Sequence, residues 1–168
     1  MIEQLVELTN SERPDAVVVA GDVFDAAKEE LYWAEKGAGA YCNETRLRVS
    51  GRRNMMESIF ATGVPFGGKS TLPATLQDFA RLMPVCAGVR RFGAASLDLA
   101  YVASGRYDGY WERGVKTWDV AAGLILVKEA GGFVGPLREG RDIFESGSLI
   151  ATNTELFDPL CKILRQPA

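Results

Sequence analysis

The sequence predicts a layered α/β fold, and three observations support this prediction. Before residue 50, short β-rich runs are separated by turn signals, which is typical of antiparallel strands. After residue 54, short apolar runs alternate with helical spacing in the order β-α-β-α-β-α-β-β-α. One helical stretch, Asp119–Ala130, is apolar on most sides, which indicates a helix buried between layers. The polar segment Ser50–Asn54 is the expected boundary between residues 1–50 and residues 51–168.

The first 50 residues predict several short strands joined by turns. Residues 1–14 are polar and mixed, which predicts a short helix or a loose arm. Turn signals at Phe24–Glu29 and Asn43–Glu44 separate the β-rich runs, and the first two runs are expected to form a hairpin. The predicted strands are Asp15–Asp22, Glu30–Ala34, Ala40–Cys42 and Leu47–Val49.

The second part of the chain predicts strands that alternate with helices. Apolar residues recur at helical spacing in four segments, and the Gly131-Gly132 pair ends the third of these. The predicted helices are Thr71–Pro84, Ala95–Ser104, Asp119–Ala130 and Leu156–Arg165. The predicted strands are Ser58–Thr62, Gly88–Gly93, Tyr107–Trp111, Phe133–Val134 and Ser148–Ala151.

Composition restricts the chemistry that the chain can perform. Its 168 residues are 47% hydrophobic and 24% charged, which is ordinary for a globular domain with a sizeable core. The sequence has no histidine, which removes Ser-His and Cys-His nucleophile systems and most transition-metal sites. Three scattered cysteines predict reduced thiols. Any catalysis must therefore use carboxylates, Lys, Ser or Thr hydroxyls, or metal ions held by oxygen.

Charge and hydropathy limit the expected partners and location. The net charge of −3 argues against a nucleic-acid partner, which would call for a basic face. No apolar run is long enough to span a bilayer, and acids stand near the N-terminus where a secretion signal would carry Lys or Arg. We therefore expect a cytoplasmic protein with no nucleic-acid partner and no membrane partner.

Asp119 is a carboxylate at the start of the apolar helix, next to Trp118. Asp is a preferred N-cap residue, and residue type alone favours that interpretation. The alternative is a metal-ligating carboxylate at a helix entrance, where the first-turn amides favour negative charge. Both are compatible, because one oxygen can cap the helix while the other binds a metal ion.

Two further places are candidates for substrate binding. Glu112 follows a predicted strand, where it would accept hydrogen bonds from the hydroxyls of a sugar-like substrate or be a solvated turn charge. The run Gly93–Ser96 opens a helix after Arg90 and Arg91. Its small side chains would let an anion approach backbone N–H groups, or would serve close helix–strand packing.

One motif gives a remote alternative. The segment Gly63–Ser70 matches the letters of the phosphate-binding pattern G-x-x-x-x-G-K-[ST], which would make the chain a nucleotide binder. Pro65 removes a backbone amide from this loop, and Phe66 adds bulk where phosphates need bare backbone. The pattern therefore carries little weight.

Three blocks of the sequence resemble the inositol monophosphatase family of Mg-dependent phosphomonoesterases. They are Val89–Arg106, Tyr107–Glu112, and Trp118–Gly123 with its continuation to Glu129-Ala-Gly-Gly. The resemblance extends from about Val17 to the C-terminus. It implies a sugar-phosphatase-like fold, in which strands of a larger antiparallel sheet precede a mixed sheet packed between helices. Residues 1–50 would then be a remnant of the N-terminal sheet domain.

The resemblance also implies an activity and a set of site residues. Family members hydrolyse an inositol phosphate or similar sugar phosphate by means of a metal-activated water, with Mg²⁺ as the cofactor. The expected ligand is therefore a small phosphorylated polyol or sugar, and a homodimer is expected. By position, Asp119 resembles a metal ligand, whereas Glu112, Gly93, Ala94 and Ala95 resemble substrate-binding residues.

The chain departs from the family pattern in its N-terminal part. The family's Asp-Pro-x-Asp-Gly-Thr motif is not in this sequence, and the one Glu-Glu pair, Glu29-Glu30, falls in a predicted hairpin turn. One carboxylate does not supply the several oxygen ligands that Mg²⁺ needs, so impaired activity is expected for this chain. An exposed apolar patch is also expected, because helices that cover one sheet face would be missing. The competing function is a non-catalytic interaction module or half of a split enzyme.

Overall fold

A computed structural model describes residues 20–64 and 71–166 of the chain as two sheets with helices between and beside them. The first sheet has the order β1-β2-β3-β4 and is antiparallel throughout. Its strands are β1 (Ala20–Asp25), β2 (Glu30–Glu35), β3 (Gly39–Cys42) and β4 (Thr45–Arg46). These confirm the predicted hairpin and third strand, whereas residues 1–19 lie outside the described part.

The second sheet is mixed and has the order β6-β5-β7-β9-β8. Strands β6 and β7 are parallel to the central β5, whereas β9 is antiparallel to both β7 and β8. The strands are β5 (Ile59–Thr62), β6 (Gly88–Arg90), β7 (Gly109–Arg113), β8 (Phe133–Pro136) and β9 (Ser148–Thr152). The predicted mixed sheet is thereby confirmed.

Five α-helices and two short 3-10 helices, Met55–Glu57 and Met83–Val85, accompany the sheets in the described residues. The α-helices are α1 (Leu72–Leu82), α2 (Ala95–Ala103), α3 (Thr117–Glu129), α4 (Ile143–Ser146) and α5 (Thr154–Leu164). Four of them confirm the predicted helices to within a few residues. The one-turn helix α4 has no counterpart among the predicted elements, because four residues are too few for an apolar period to show.

Helices α2 and α3 lie between the two sheets. Helix α3 contacts β1, β2 and β3 on one side and β8 and β9 on the other, and its buried residues include Val120 and the run Ala122–Val127. The prediction of a helix buried between layers is therefore confirmed. The resulting core spans both sheets, so the boundary at Ser50–Asn54 stays a prediction.

The three inner strands of the second sheet, β5, β7 and β9, are buried on both faces. Ala61, Tyr110 and Ala151 belong to the apolar cluster shared with α2 and α3. Their neighbours Phe60, Trp111 and Ile150 join a second cluster with Leu82, Leu156 and Leu160 of α1 and α5. Because successive side chains on a strand point to opposite faces, each of these three strands supplies both clusters.

The predicted strand Leu47–Val49 is wrong. Strand β4 ends at Arg46, and only the Leu47 N–H still bonds to the first sheet, at the Ala40 carbonyl oxygen (2.7 Å). The Val49 N–H donates instead to the Ala130 carbonyl oxygen at the end of α3 (3.2 Å). Leu47 and Val49 pack into the core where the chain leaves the first sheet and passes the end of α3. Alternation of apolar residues does not distinguish this packing from that of a strand.

The open face of the first sheet carries large apolar side chains. Phe24, Leu31 and Trp33 are 42%, 39% and 37% exposed. Phe24 pairs with Leu31 across β1 and β2, and Trp33 stacks on Tyr41 of β3 with ring centroids 4.5 Å apart. The expected exposed apolar patch is present on this face.

Candidate active site

The carboxyl ends of the three parallel strands open onto one cavity of about 420 Å³. Gly63 and Val64 follow β5, Gly93 lies shortly after β6, and Glu112 and Arg113 end β7. The crevice outside the carboxyl ends of parallel strands is where open α/β sheets bind ligands. The sheet topology therefore gathers residues from three separate parts of the sequence.

The five residues singled out by the sequence all line this cavity. Gly93, Ala94 and Ala95 form its edge at the start of α2, Glu112 comes from β7, and Asp119 comes from α3. The family resemblance implies that these residues share one site. Local sequence patterns do not, because they do not relate residues from separate elements. The fold thus places all five side by side, although they come from three different elements.

Two helix N-termini converge on the cavity. Helix α2 begins after Ala94, whose backbone is extended and whose side chain offers no cap. Helix α3 brings Trp118 and Asp119 of its first turn to the same cavity. The first amides of a helix lack intrahelical acceptors and carry the positive end of the helix dipole. The cavity is therefore suited to an anionic group.

Gly93 allows the chain to enter α2 at this point. Its φ of +94° lies in the region that favours glycine. Any other residue would be strained in this backbone conformation, so the path of the chain into α2 depends on glycine at this position.

The N-cap interpretation of Asp119 is corrected by the structure. Lys116, with an extended backbone, is the N-cap of α3, and Asp119 is the third helical residue. Asp119 Oδ2 accepts a hydrogen bond from the Lys116 N–H (3.0 Å). Because Thr117 and Trp118 already have helical backbone geometry, the helix begins two residues before Asp119 and the carboxylate reaches back to its start.

Glu112 is held in place by two neighbours. The Tyr110 hydroxyl donates a hydrogen bond to Glu112 Oε2, and burial raises the pKa of Tyr110 well above its ordinary value. On another side the carboxylate lies against Gly63, where any Cβ would collide with it. The half-buried Glu112 therefore has a defined position at the cavity wall.

Basic side chains complete the charge distribution of the cavity. Arg91 and Arg113 line it together with the two acids. Arg113 also forms a buried ion pair with Asp78 of α1, with Nε and Oδ2 2.6 Å apart. Local sequence patterns point to Arg91 but miss Arg113, and they indicate Gly63 only through the phosphate-binding pattern that carried little weight. Gly63 directly follows the predicted strand Ser58–Thr62, so its position at a strand end is the signal that could have revealed it.

The phosphate-loop lookalike lies mostly outside the described residues. Pro65–Ser70 are not described, whereas Gly63 and Val64 form part of the cavity wall.

Over residues 20–64 and 71–166, no helix combines the length and apolar character needed to cross a bilayer.

The architecture and its cavity define the chain as a layered α/β protein of the sugar-phosphatase type. The model of the inositol monophosphatase family matches residues 13–167, and the chain belongs to this family.

Relatives and solved structures support this membership. The chain is similar to "Inositol-1-monophosphatase" of Mesorhizobium japonicum, with 43% identity over 150 residues, covering 89% of this chain and 56% of the relative. It is 46% identical over 140 residues to "Nus factor SuhB" of Pseudomonas aeruginosa, covering 82% of this chain and 52% of the relative. The crystal structure of extragenic suppressor protein suhB from Bartonella henselae matches with 42% identity and a TM-score of 0.85, covering 89% of this chain and 58% of that one. The chain thus spans somewhat more than half the length of these proteins.

Proposed function

We propose that the cavity at the strand ends binds a small phosphorylated polyol or sugar, as a site for hydrolysis of the phosphate monoester in a cytoplasmic protein. The observation that carries this proposal is the meeting of two helix N-termini with Glu112 and Asp119 in one cavity. Such a substrate requires backbone amides that bind its phosphate and a carboxylate that accepts hydrogen bonds from its hydroxyls. The name inositol-1-monophosphatase borne by relatives favours an inositol phosphate.

Each residue has a proposed role. The backbone N–H groups at the start of α2, around Gly93, Ala94 and Ala95, donate hydrogen bonds to the substrate. Glu112 accepts hydrogen bonds from its hydroxyls and thereby orients the ring. Asp119, with one oxygen engaged in capping α3, offers the other to a metal ion.

The proposed cofactor is Mg²⁺, which would lower the pKa of a water molecule and stabilise the leaving alkoxide. The described residues do not complete a site for it. Among them, no three or more His, Cys, Asp or Glu side chains form a group that could hold a metal ion. Mg²⁺ needs near-octahedral oxygen coordination, and Asp119 supplies a single carboxylate. We therefore expect little or no hydrolysis by the 168-residue chain alone.

An assay of inositol 1-phosphate hydrolysis with added Mg²⁺ tests the expected impairment. Turnover that Asp119→Asn abolishes would show that the chain completes its metal site by itself, and the expected impairment would then be wrong.

Substrate binding is measured separately by calorimetry, where Glu112→Gln and Gly63→Ala should both weaken the affinity for inositol 1-phosphate. Gly51→Ala is the control, because a Cβ at position 51 meets nothing within 4 Å. Equal affinity in all variants would contradict the role of Glu112.

A second candidate function is an interaction module or half of a split enzyme. The exposed stripe of Phe24, Leu31 and Trp33 on the first sheet favours it, since large apolar patches mark interaction surfaces. The occupant we propose for this face is a second copy of the chain, in line with the homodimer implied by the family resemblance.

A further inference from the structure

Asp98 is a buried carboxylate of α2, the helix whose start lines the cavity. It lies in the first turn of α2, and it is 1% exposed. Within the described part of the chain, neither of its carboxylate oxygens has a hydrogen-bond partner. An unpaired carboxylate in this position is costly when ionised, and such exceptions in a folded protein call for a physical reason.

The groups around Asp98 belong to the cavity wall and its support. Asp98 interacts electrostatically with Glu112 and Tyr110 of β7, with Tyr107 before β7 and with Arg91 after β6. Burial and the charge of Glu112 raise the pKa of Asp98 to about 7, against the opposing effect of Arg91. The acid whose charge acts on Asp98 is thus the proposed substrate-binding residue.

The two carboxylates differ in their surroundings. Glu112 is half-buried, lines the cavity and accepts a hydrogen bond from the Tyr110 hydroxyl. Asp98 is fully buried and accepts none from the described residues. When two acids interact, the proton resides on the one whose ionised form is less well solvated. Here that acid is Asp98.

We propose that Asp98 is a positioning residue that acts through Glu112: it carries the proton of the pair, so that Glu112 alone is ionised toward the hydroxyls of a bound polyol. The part of this inference that names the ligand rests on the proposed function. The division of charge between the acids is a property of the chain itself. Ionisation of Asp98 as the pH rises through neutrality would add a second negative charge near the cavity and lower the affinity of the cavity for a phosphate ester, roughly fivefold.

Carboxyl ¹³C NMR of an Asp- and Glu-labelled chain tests this charge division without any need for turnover. Glu112 should lose its proton first, and Asp98 should titrate near neutrality. Glu112→Gln should lower the midpoint of Asp98 by about one pH unit, because the opposing charge is removed. Asp98→Asn should leave the main Glu112 transition in place and remove only its small second step. Asp158→Asn, at an exposed position of α5, is the control and should change neither.

Three results would overturn the proposal: an Asp98 midpoint in the ordinary acid range, an unchanged Asp98 midpoint in Glu112→Gln, or the reverse order of titration.

The functional consequence is measured as the affinity for inositol 1-phosphate between pH 6 and 8.5. The phosphate of the ligand ionises in the same range and affects both proteins alike. The ratio of wild-type affinity to Asp98→Asn affinity should therefore fall as the pH rises, and a constant ratio would contradict the functional consequence. Absence of ligand binding would contradict the proposed function alone, because the NMR titration is independent of it.

Discussion

At the scale of single residues, the cavity depends on side chains whose neighbours define their position. Glu112 is fixed by the Tyr110 hydroxyl and by the absence of a side chain at Gly63. Asp119 combines a helix-capping contact with a place at the cavity wall. Neither arrangement follows from residue type, because each depends on groups that are distant in sequence or on where a helix begins.

The burial of Asp98 predicts a pH dependence of stability. Its pKa is raised from an ordinary 3.8 to about 7, so the folded state binds more protons than the unfolded state between these values. The free energy of unfolding should therefore fall as pH rises from about 4 to about 7 and then level off. Asp98→Asn removes this loss, so at pH 8 the variant should be more stable by about 2 kcal/mol or more.

Urea unfolding of the wild type and Asp98→Asn at pH 4 and pH 8 measures this difference. The two proteins should have similar stability at pH 4 and diverge at pH 8. A variant that is less stable than the wild type at pH 8 would mean that ionised Asp98 has a stabilising partner, and the unpaired state of this carboxylate would then be wrong.

At the scale of elements, helices α2 and α3 connect the core to the cavity. Their close packing requires small residues, and a Cβ at Gly123 would lie 2.5 Å from Leu99 Cβ. Gly21 of β1 similarly lies against Ala122 of α3. This packing places the N-termini of both helices at the carboxyl ends of the parallel strands.

Gly123→Ala should destabilise the protein despite the higher helix propensity of alanine. The propensity gain is at most ~1 kcal/mol, whereas overpacking in a filled core costs ~1–3 kcal/mol. Lys128→Ala, at an exposed position of the same helix, is the control and should change the free energy of unfolding little. Urea denaturation measures both. A stabilised Gly123→Ala variant would show that α2 and α3 leave room for a methyl group between them.

The sequence predicts these elements well where the pattern is long. The all-round apolar character of Asp119–Ala130 correctly indicates a helix between layers, although the helix begins at Thr117. Short segments are predicted less well. Leu47–Val49 has the composition of a strand but packs against the end of α3, because tertiary contacts outweigh the local preference for a strand.

At the scale of the whole molecule, the outer face of the first sheet stands out because it exposes large apolar side chains. The inner strands of the second sheet are covered on both faces, whereas the outer face of the first sheet exposes Phe24, Leu31 and Trp33. This exposed patch could be predicted from the family resemblance. What covers the face is a matter of assembly, on which local sequence patterns carry no information.

The exposed face should drive association of the chain. Wild-type protein should show a concentration-dependent mass above that of one chain in light scattering, and Phe24→Lys with Leu31→Lys should return it to the single-chain mass. Leu76→Lys is the control, because Leu76 is 57% exposed on α1, away from this sheet. A wild-type protein that stays at the single-chain mass at all concentrations would contradict self-association through this face.

The central claim is that the cavity at the strand ends recognises a phosphorylated polyol. The most direct measurement is a ¹⁵N backbone NMR titration with inositol 1-phosphate. Shift changes should concentrate on the amides of Gly93, Ala94, Ala95 and Glu112, and should weaken in Glu112→Gln. Changes confined to other surfaces, or no changes at all, would contradict the claim.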